Sequence, residues 1–314
     1  MKNEILLMGP LLETVMDLLE ASYIVHRYYE ADAPEQLLAD IADNVSAVVT
    51  DGGLGVKAAV LEKLPKARIV SVYGVGVDAV DLDYCRKAGI AVTNTPDVLS
   101  GDVADLAVAL MLAISRNMIE ADSYTRQGLW QQQGAMALQH RMFGKSAGIL
   151  GMGSIGIQIA QRLEGFDMDV AYCNRRKRSD VSNRYYASPV EMAQEVDFLV
   201  IAAAASASTE NIINADILQA LGPNGYLINV SRGSLVDEDA LITALQNNTI
   251  RGAGLDVFAN EPKVPEALCK LKNVVLQPHQ ASATHETRKA MGMLVVDNLS
   301  RFFDDRPLLT EYSH

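Results

Sequence analysis

The sequence predicts an α/β protein made of two doubly wound parallel-sheet domains. Short apolar runs alternate with segments whose apolar residues recur at helical spacing, first over roughly the opening ninety residues and again from residue 146. Such alternation is typical of parallel sheets with helices on both faces. The length of 314 residues also suits two ordinary domains better than one.

Two sets of buried strands follow from the apolar runs. The first set is expected at Ile5–Met8, Val45–Thr50, Ile69–Val72 and Ile90–Thr93. The second set is expected at Ala147–Leu150, Val170–Asn174, Phe198–Ala202, Leu227–Val230, Gly254–Val257 and Val274–Leu276. Two long helices, Leu99–Met118 and Thr284–Phe303, are predicted to join the sets, and the second would carry the chain end back to the first domain.

Composition excludes several classes of partner. A formal charge of −12, from 27 basic and 39 acidic residues, disfavours nucleic acid and anionic membrane surfaces. No apolar window approaches the ~20 residues that span a bilayer, and no signal-peptide core opens the chain. Cys85, Cys173 and Cys269 are widely spaced and odd in number. They predict reduced thiols in the cytoplasm, without disulfides or a metal site.

The segment GMGSIG fits the G-x-G-x-x-G pattern in the context that supports it, since an apolar strand precedes it and an amphipathic helix follows. In dinucleotide-binding turns the first glycine permits a tight turn, the second lets the backbone approach a pyrophosphate, and the third lets helix and strand pack closely. Amides at the helix N-terminus favour a phosphate. The predicted cofactor contacts here are Gly151, Gly153, Ser154, Ile155 and Gly156.

A run of basic residues, Asn174-Arg175-Arg176-Lys177-Arg178, ends the next predicted strand. NAD sites commonly place a carboxylate there, about 20 residues after the glycines, to bind the ribose hydroxyls. A carboxylate would repel a 2′-phosphate, whereas guanidinium groups bind one through charge-assisted hydrogen bonds. The run could instead be a solvated loop. Its position in an otherwise acidic chain favours NADPH, with Asn174, Arg175 and Arg176 as contacts.

Polar residues also end three later strands, with Arg232 in NVSRGS, Asp256 and Glu261 in GLDVFANEP, and His279 in QPHQASAT. Ligands bind outside the carboxyl ends of strands in open parallel sheets, so these side chains could converge. A guanidinium suits a substrate carboxylate, and an imidazole backed by a carboxylate can donate a proton near neutral pH. Each has a plainer alternative: a surface ion pair for Arg232, a loop acid for Glu261, or a packed histidine for His279.

These motifs, in this order, resemble the D-isomer-specific 2-hydroxyacid dehydrogenase family. YGVGVDAVD at 73–81 and VTNTPDVLSGDVADLAVALML at 92–112 look like the family's substrate-domain and hinge segments. The resemblance covers essentially the whole chain. Within the family, the sequence is most similar to the glyoxylate/hydroxypyruvate and hydroxyphenylpyruvate reductases, which use NADPH.

The resemblance implies an architecture and an activity. A Rossmann NADP-binding domain, residues 98–283, would be inserted into a flavodoxin-like substrate-binding domain formed by residues 1–97 and 284–314. The active site would lie in the cleft between domains that close on the substrate. The expected reaction is NADPH-dependent reduction of a small 2-oxo acid, such as glyoxylate or hydroxypyruvate, to the D-2-hydroxy acid. A cytoplasmic homodimer is also expected.

Residue roles follow from the same resemblance. Arg232 would bind the substrate carboxylate, His279 would donate the proton, and Glu261 would orient His279. The predicted further substrate contacts are Val75, Gly76 and Ser282. The predicted further cofactor contacts are Val230 and Ser231, which would line the cofactor, and Asp256, which would meet the nicotinamide carboxamide.

Three departures or ambiguities qualify the resemblance. Ala281 stands where the family often has glycine, and the Ala202–Ala205 loop lacks a proline expected near Ala204. Trp130 would either approach a partner subunit's substrate pocket or be a buried anchor. Other functions remain open at this point: a nucleotide-sensing protein like the family's corepressors, or a dehydrogenase of this fold for another substrate such as phosphoglycerate.

Overall fold

The computed structural model describes residues 2–313, and the chain divides into two compact units. The first unit is built from both ends of the chain, up to Leu99 and again from Ser282 onward, and the second comprises Ser100–Ala281. The boundaries expected from the sequence, 97/98 and 283/284, each lie two residues from these divisions.

The first unit contains one five-stranded parallel sheet. Its strands are β1 Glu4–Leu7, β2 Ile24–Arg27, β3 Val45–Asp51, β4 Ile69–Tyr73 and β5 Ala91–Thr93. Its helices before residue 100 are α1 Glu13–Ser22, α2 Pro34–Ile41, α3 Ala58–Leu61 and α4 Leu82–Ala88, with a 3₁₀ turn at Tyr28–Glu30. The strand order β2-β1-β3-β4-β5 is the flavodoxin-like order, which confirms the predicted fold of this unit.

The second unit contains a seven-stranded parallel sheet. Its strands are β6 Ser146–Leu150, β7 Asp169–Cys173, β8 Arg184–Tyr186, β9 Phe198–Ile201, β10 Tyr226–Asn229, β11 Gly252–Leu255 and β12 Val274–Leu276. Its helices are α5 Ser100–Ser115, α6 Met118–Arg126, α7 Leu129–Gln133, α8 Ser154–Glu164, α9 Pro189–Glu195, α10 Ala215–Leu221, α11 Glu238–Gln246 and α12 Glu266–Cys269, with a 3₁₀ turn at Gly233–Leu235.

The strand order of the second unit locates its ligand crevice. The order β12-β11-β10-β9-β6-β7-β8 is the Rossmann arrangement extended by one strand, so that β6 and β9 flank the point where the order reverses. Helices α9, α10 and α11 pack in a row and share a hydrophobic core with the sheet, while α5 and α8 pack on each other. Ligands of such sheets bind at the carboxyl ends of the strands beside the reversal.

The last helix, α13 His285–Phe303, belongs to the first unit as predicted. Thr284 caps it by accepting a hydrogen bond from the amide of Thr287 at 3.2 Å. It packs against α1 and β4, and its Gly292 lies so close to α1 that an added Cβ would sit 2.1 Å from Cγ2 of Val15. Close approach of the two helices therefore requires a glycine at this position.

This close approach predicts that alanine lowers the stability at one helical glycine but not at another. Gly292→Ala should lower the free energy of unfolding by about 1–2 kcal/mol, because the stiff Val15 side chain must move to admit the methyl group. Gly101→Ala, in α5, should cause no loss, since its Cβ would meet nothing closer than 3.7 Å and alanine favours helix. Urea unfolding of both variants measures the difference. Equal stability of the two variants would contradict the packing described.

Candidate active site

The turn from β6 into α8 has the geometry of a dinucleotide-binding turn. Gly151 has φ of 102°, and an added Cβ would lie 2.4 Å from the amide nitrogen of Ala203. A Cβ on Gly156 would lie 2.2 Å from the carbonyl oxygen of Gly151, but one on Gly153 would meet nothing within 4 Å. Two glycines are thus required by the fold, whereas the exposed Gly153 leaves open space that a pyrophosphate fits.

Helix α8 directs its first amides toward that space. Its first backbone hydrogen bond runs from the amide of Ile157 to the carbonyl of Gly153 at 2.9 Å. The amides of Ser154 and Ile155 precede it and are not consumed by the helix, as at any helix N-terminus. These residues fit the phosphates of a dinucleotide.

A pair of side chains holds the middle of the turn. The amide of Met152 donates to Oδ1 of Asn174 at 2.7 Å, and the Met152 carbonyl accepts from Nη1 of Arg178 at 2.9 Å. Arg178 is fixed in turn by Asp180, at 2.9 and 2.5 Å, and by the Tyr172 hydroxyl, which accepts from its amide at 2.9 Å. Asn174 and Arg178 therefore fix the peptide groups on both sides of Met152.

The structure distinguishes the basic residues after β7 by their surroundings. Arg175 and Arg176 are exposed, and neither forms an ion pair with any residue in 2–313. Arg178, in contrast, is half-buried and committed to the glycine turn and to Asp180. Arg175 and Arg176 therefore remain exposed cations after β7, and their contact with a cofactor stays a prediction.

His279 and Glu261 form an ion-pair geometry beyond the sheet. Nδ1 of His279 lies 2.6 Å from Oε2 of Glu261, and Oε1 of the same carboxylate accepts a hydrogen bond from the Phe258 amide at 2.9 Å. The imidazole is exposed over 40% of its area. Because Nδ1 faces Glu261, Nε2 is the nitrogen that a substrate can reach. His279 is therefore not a histidine packed in the core. Glu261 is not simply a solvated acid in a loop, because its carboxylate contacts both His279 and the Phe258 amide.

Electrostatics favour an ionised Glu261. Burial alone would raise the pKa of Glu261, but the hydrogen bonds from His279 and from the Phe258 amide outweigh it, helped by the charges of His279 and Arg232. The net pKa of Glu261 is below its ordinary value.

Asp256, directly after β11, shapes the turn that carries His279. Its side chain is completely buried, and its two carboxylate oxygens accept hydrogen bonds from the amides of Gln280 at 2.8 Å and Ala281 at 3.0 Å. Its own carbonyl accepts from the amide of His279 at 2.8 Å. Burial raises the pKa of Asp256 despite the two amides. Three successive amides are thus held by one residue.

His279 has a backbone conformation that needs such support. Its φ is 50°, in the left-handed region that residues other than glycine seldom adopt. Strained backbone of this kind persists only where its surroundings determine it, and it is common at functional sites. The predicted contact of Asp256 with the nicotinamide stays a prediction, and the structure adds a second role for that residue.

Arg232 lies in a loop after β10 that is shaped by a buried asparagine. Asn229 donates from Nδ2 to the Arg232 carbonyl at 2.9 Å and accepts at Oδ1 from the Ser231 amide at 3.1 Å. Nη1 of Arg232 donates to the Ser231 carbonyl at 2.9 Å. The guanidinium is close enough to Glu261 to lower the pKa of that carboxyl. Arg232 therefore lies near the Glu261–His279 pair, and its contact with a substrate stays a prediction.

The remaining predicted cofactor residues lie at the same edge of the sheet. Val230 is buried directly after β10, and the Ser231 hydroxyl donates to the carbonyl of Ala203. That hydrogen bond ties the Arg232 loop to the Ala202–Ala205 loop, whose Ala202 amide also donates to Leu150 at 2.8 Å. Both loops therefore flank the glycine turn. The Ala202–Ala205 loop does so without the proline that the resemblance predicts near Ala204.

The predicted substrate contacts Val75, Gly76 and Ser282 belong to the first unit. There the side chain of Asn94 donates to the Val75 carbonyl at 2.8 Å, and the Thr95 amide donates to the Gly74 carbonyl at 2.8 Å. These bonds fix the peptide groups of the loop after β4. The structure therefore gives this loop a defined conformation, and its role in substrate binding remains a prediction.

Sequence reasoning missed three residues that shape the site: Asn94, Arg178 and Asn229. An asparagine at or just after a strand end, as with Asn94 and Asn229, is a usable signal because its side chain commonly bonds nearby backbone. The sequence gives no comparable signal for Arg178. Within a run of basic residues, nothing indicates which side chain bonds to the glycine turn and which stay exposed. Trp130 corrects another expectation, because it is 66% exposed and the buried-anchor alternative is wrong.

Within residues 2–313, no group of three or more His, Cys, Asp or Glu side chains is arranged to hold a metal ion. No helix in that range is long and apolar enough to cross a bilayer.

The His279–Glu261 contact predicts a measurable change in the acid. His279→Gln should raise the pKa of Glu261, because burial then acts against a smaller opposing contribution. In the wild type, the lowered pKa means that Glu261 stabilises the fold above its unfolded value of about 4.3 and loses that contribution as the pH falls through its folded value. Carboxyl ¹³C NMR titration measures the midpoint. His285→Gln, an exposed histidine in α13, is the control. An unmoved Glu261 midpoint in His279→Gln would contradict the contact.

Comparisons with known proteins extend over the whole chain. Residues 108–281 match the family model for D-isomer specific 2-hydroxyacid dehydrogenase, NAD binding domain. Hydroxyphenylpyruvate reductase from Plectranthus scutellarioides is 45% identical over 306 residues, which are 98% of this chain and 97% of that protein. Glyoxylate/hydroxypyruvate reductase A from Arabidopsis thaliana is 44% identical over 306 residues, with the same coverage.

Solved structures agree with these relatives. The NADPH-dependent glyoxylate/hydroxypyruvate reductase from Sinorhizobium meliloti, in complex with NADP and malonate, has a TM-score of 0.93 and 42% identity. That match covers 100% of this chain and 97% of the other. A 2-hydroxyacid dehydrogenase from Ketogulonicigenium vulgare has a TM-score of 0.94 and 48% identity, and the match covers 99% of this chain and 98% of that one.

The resemblance seen in the sequence is therefore confirmed, as is the prediction of an oxidoreductase that acts on CH–OH groups with a nicotinamide cofactor. The chain belongs to the D-isomer specific 2-hydroxyacid dehydrogenase family.

Proposed function

We propose that this protein reduces a small 2-oxo acid, such as glyoxylate or hydroxypyruvate, to the D-2-hydroxy acid with NADPH. The observation that carries the proposal is the 2.6 Å contact between His279 and Glu261, at the sheet edge that also carries the glycine turn. The relatives named as glyoxylate/hydroxypyruvate reductases support this choice of substrate class.

The chain's own residues supply binding, orientation and a proton. A bound nicotinamide supplies the hydride to the carbonyl carbon of the substrate. His279, oriented through Nδ1 by Glu261, donates the proton on Nε2 to the carbonyl oxygen. Arg232 binds the carboxylate of the 2-oxo acid through its planar guanidinium and, with His279, stabilises the negative charge that develops on the oxygen.

The substrate and cofactor contacts of the proposal extend beyond these three residues. The amides of Val75 and Gly76 and the side chain of Ser282 would bind the substrate, a role supported by the family resemblance and by the fixed loop after β4. The diphosphate would lie against Gly151, Gly153 and Gly156 and the amides of Ser154 and Ile155, with Val230, Ser231 and Asp256 toward the nicotinamide.

The preference for NADPH rests on the residues that end β7. Arg175 and Arg176 are exposed guanidinium groups with no ion-pair partner among residues 2–313, so both can bind a 2′-phosphate. Asn174 occupies the place of the usual carboxylate, and its side-chain oxygen accepts a hydrogen bond from the Met152 amide. A neutral residue there leaves the positive charge of the arginines uncompensated.

A homodimer is part of the proposal. Apolar side chains are exposed along one connected stretch of the second unit, where a solvent-facing surface would be polar: Met118, Ile119, Trp130, Leu138 and Phe143. Leu138 is 97% exposed. A second copy of the chain would cover these side chains. A cytoplasmic location is also proposed, supported by three unpaired cysteines, two of them buried.

Replacement of the proton donor tests the proposed chemistry. His279→Gln should lower kcat for glyoxylate and hydroxypyruvate with NADPH by about 10²–10⁴-fold, because glutamine cannot transfer a proton. KM for NADPH should change little, since none of the proposed contacts with the diphosphate involves His279. Steady-state kinetics measures both, with His285→Gln as the matched control. Unchanged turnover in His279→Gln would refute the assigned role.

Substitutions of two arginines in the same run distinguish an effect on cofactor preference from an effect on the structure of the glycine turn. Arg175→Ala should lower kcat/KM for NADPH far more than for NADH, because only NADPH carries the 2′-phosphate. Arg178→Ala should lower both by similar factors, because it releases the Met152 carbonyl that positions the turn for either cofactor. Kinetics with both cofactors measures the ratios. An unchanged NADPH/NADH ratio in Arg175→Ala would contradict the proposed specificity.

A further inference from the structure

A small cavity lies at the edge of the seven-stranded sheet opposite the glycine turn. Its volume is about 130 Å³, and it is lined by His140, Arg141, Lys145, Asp197, Phe198, Asn224, Tyr226 and Arg251. Lys145, Asp197 and Arg251 each directly precede a strand, whereas the catalytic residues follow strands. The cavity is therefore at the amino ends of the strands and is distinct from the proposed active site.

Positive charge dominates the lining of this cavity. Arg141, Lys145 and Arg251 are permanent cations, and Asp197 is the one acid among the lining residues. That carboxylate is already satisfied: Oδ1 accepts from Nζ of Lys145 at 2.8 Å, and Oδ2 accepts from the Ser146 amide at 3.0 Å and its hydroxyl at 2.9 Å. Asp197 therefore compensates Lys145 and leaves the two guanidinium groups without an acid in the cavity.

The remaining partners do not neutralise those guanidinium groups. Arg251 donates from Nη2 to Oδ1 of Asn224 at 2.5 Å, and the guanidinium of Arg141 lies 5.1 Å from the ring centre of Phe143. Both partners are uncharged. Since Asn224 uses its oxygen as the acceptor, its NH₂ group remains a donor. The cavity thus combines two fork-shaped cations with an amide donor.

The imidazole of His140 reports the resulting potential. Burial, followed by the charges of Arg251 and Lys145, lowers the pKa of His140. Arg251 and Lys145 line the same cavity as this ring, in a chain whose formal charge is −12. The like charges of Arg141, Lys145 and Arg251 repel one another, and a bound anion would offset that repulsion.

We propose that this cavity binds a small oxyanion of the phosphate type. The volume is that of roughly four waters at ~30 Å³ each, enough for a tetrahedral oxyanion. Guanidinium groups bind phosphate oxygens in pairs, and the Asn224 amide supplies a further donor. Backbone hydrogen bonds hold part of the lining in place: the Tyr226 amide donates to the Asp197 carbonyl at 2.9 Å, and the Arg251 amide donates to the Gly225 carbonyl at 2.8 Å.

The ligand has two possible sources with the same chemistry. It is either inorganic phosphate or the phosphate group of a small phosphorylated metabolite. A site at the amino ends of the strands does not contact the substrate, so the bound anion would stabilise the nucleotide-binding unit by mass action. This inference does not depend on the proposed reaction.

Histidine NMR of the intact protein tests the proposal. Inorganic phosphate, added at constant ionic strength against sodium chloride, should raise the titration midpoint of His140 saturably by about 1 pH unit, as expected for an anion placed within ~4–6 Å. The thermal midpoint should rise with it. Glycerol phosphate forms a second arm: a larger shift than with inorganic phosphate at equal concentration assigns the site to phosphate monoesters, and a smaller one assigns it to the free ion.

Three variants keep the result specific. Arg251→Gln should abolish the response of His140, whereas Arg184→Gln, which removes the same charge from the exposed edge strand β8, should preserve it. Arg175→Gln should also preserve it, which separates this cavity from the proposed 2′-phosphate site. The proposal is overturned if phosphate acts no more than chloride, if Arg251→Gln still responds, or if the midpoint follows protein concentration instead of phosphate.

Discussion

The geometry of the active-site cluster depends on one buried carboxylate, that of Asp256. It accepts hydrogen bonds from two successive amides of the turn after β12, and the carbonyl of the same residue holds the amide of His279. Through these bonds a fully buried residue fixes a histidine whose backbone has φ of 50°. A buried acid with a raised pKa is costly to ionise, so its partners must be complete for the arrangement to persist. The imidazole can then meet Glu261 in one orientation and expose its other nitrogen to substrate.

The same principle recurs at the glycine turn and in the loop after β4. Polar side chains hold backbone peptides so that the peptides themselves can bind ligands: Asn174 and Arg178 around Met152, Asn229 beneath Arg232, and Asn94 behind Val75. Each of these residues acts on the backbone, so that backbone amides, Arg232 and His279 stay available for the proposed ligand contacts. A preorganised site of this kind limits the reorganisation required when charge develops in the reaction.

Much of this could be predicted from the sequence, because the physics that determines it is local. Buried parallel strands are continuous apolar runs, so most strands of both sheets were evident, and the glycine turn was identified by its strand and helix neighbours. Strands β2 and β8 were missed, since they pair at sheet edges, are only partly buried and carry polar residues such as His26, Arg27 and Arg184. Hydrogen bonds between residues far apart in the sequence could not be predicted. Nothing in the sequence near Asp256 indicates that its carboxylate accepts hydrogen bonds from amides 24 and 25 residues later.

In the proposed reaction, His279 would donate a proton, oriented by Glu261 and beside Arg232, while a bound reduced nicotinamide would supply a hydride to one face of a 2-oxo acid. The most direct measurement is the reduction of hydroxypyruvate by the purified wild-type protein with NADPH and with NADH, followed by chiral analysis of the product. The account predicts steady NADPH consumption, a higher kcat/KM with NADPH than with NADH, and a product that is the D-enantiomer of the 2-hydroxy acid. No turnover of hydroxypyruvate or glyoxylate with either cofactor, or formation of the L-enantiomer, would contradict it.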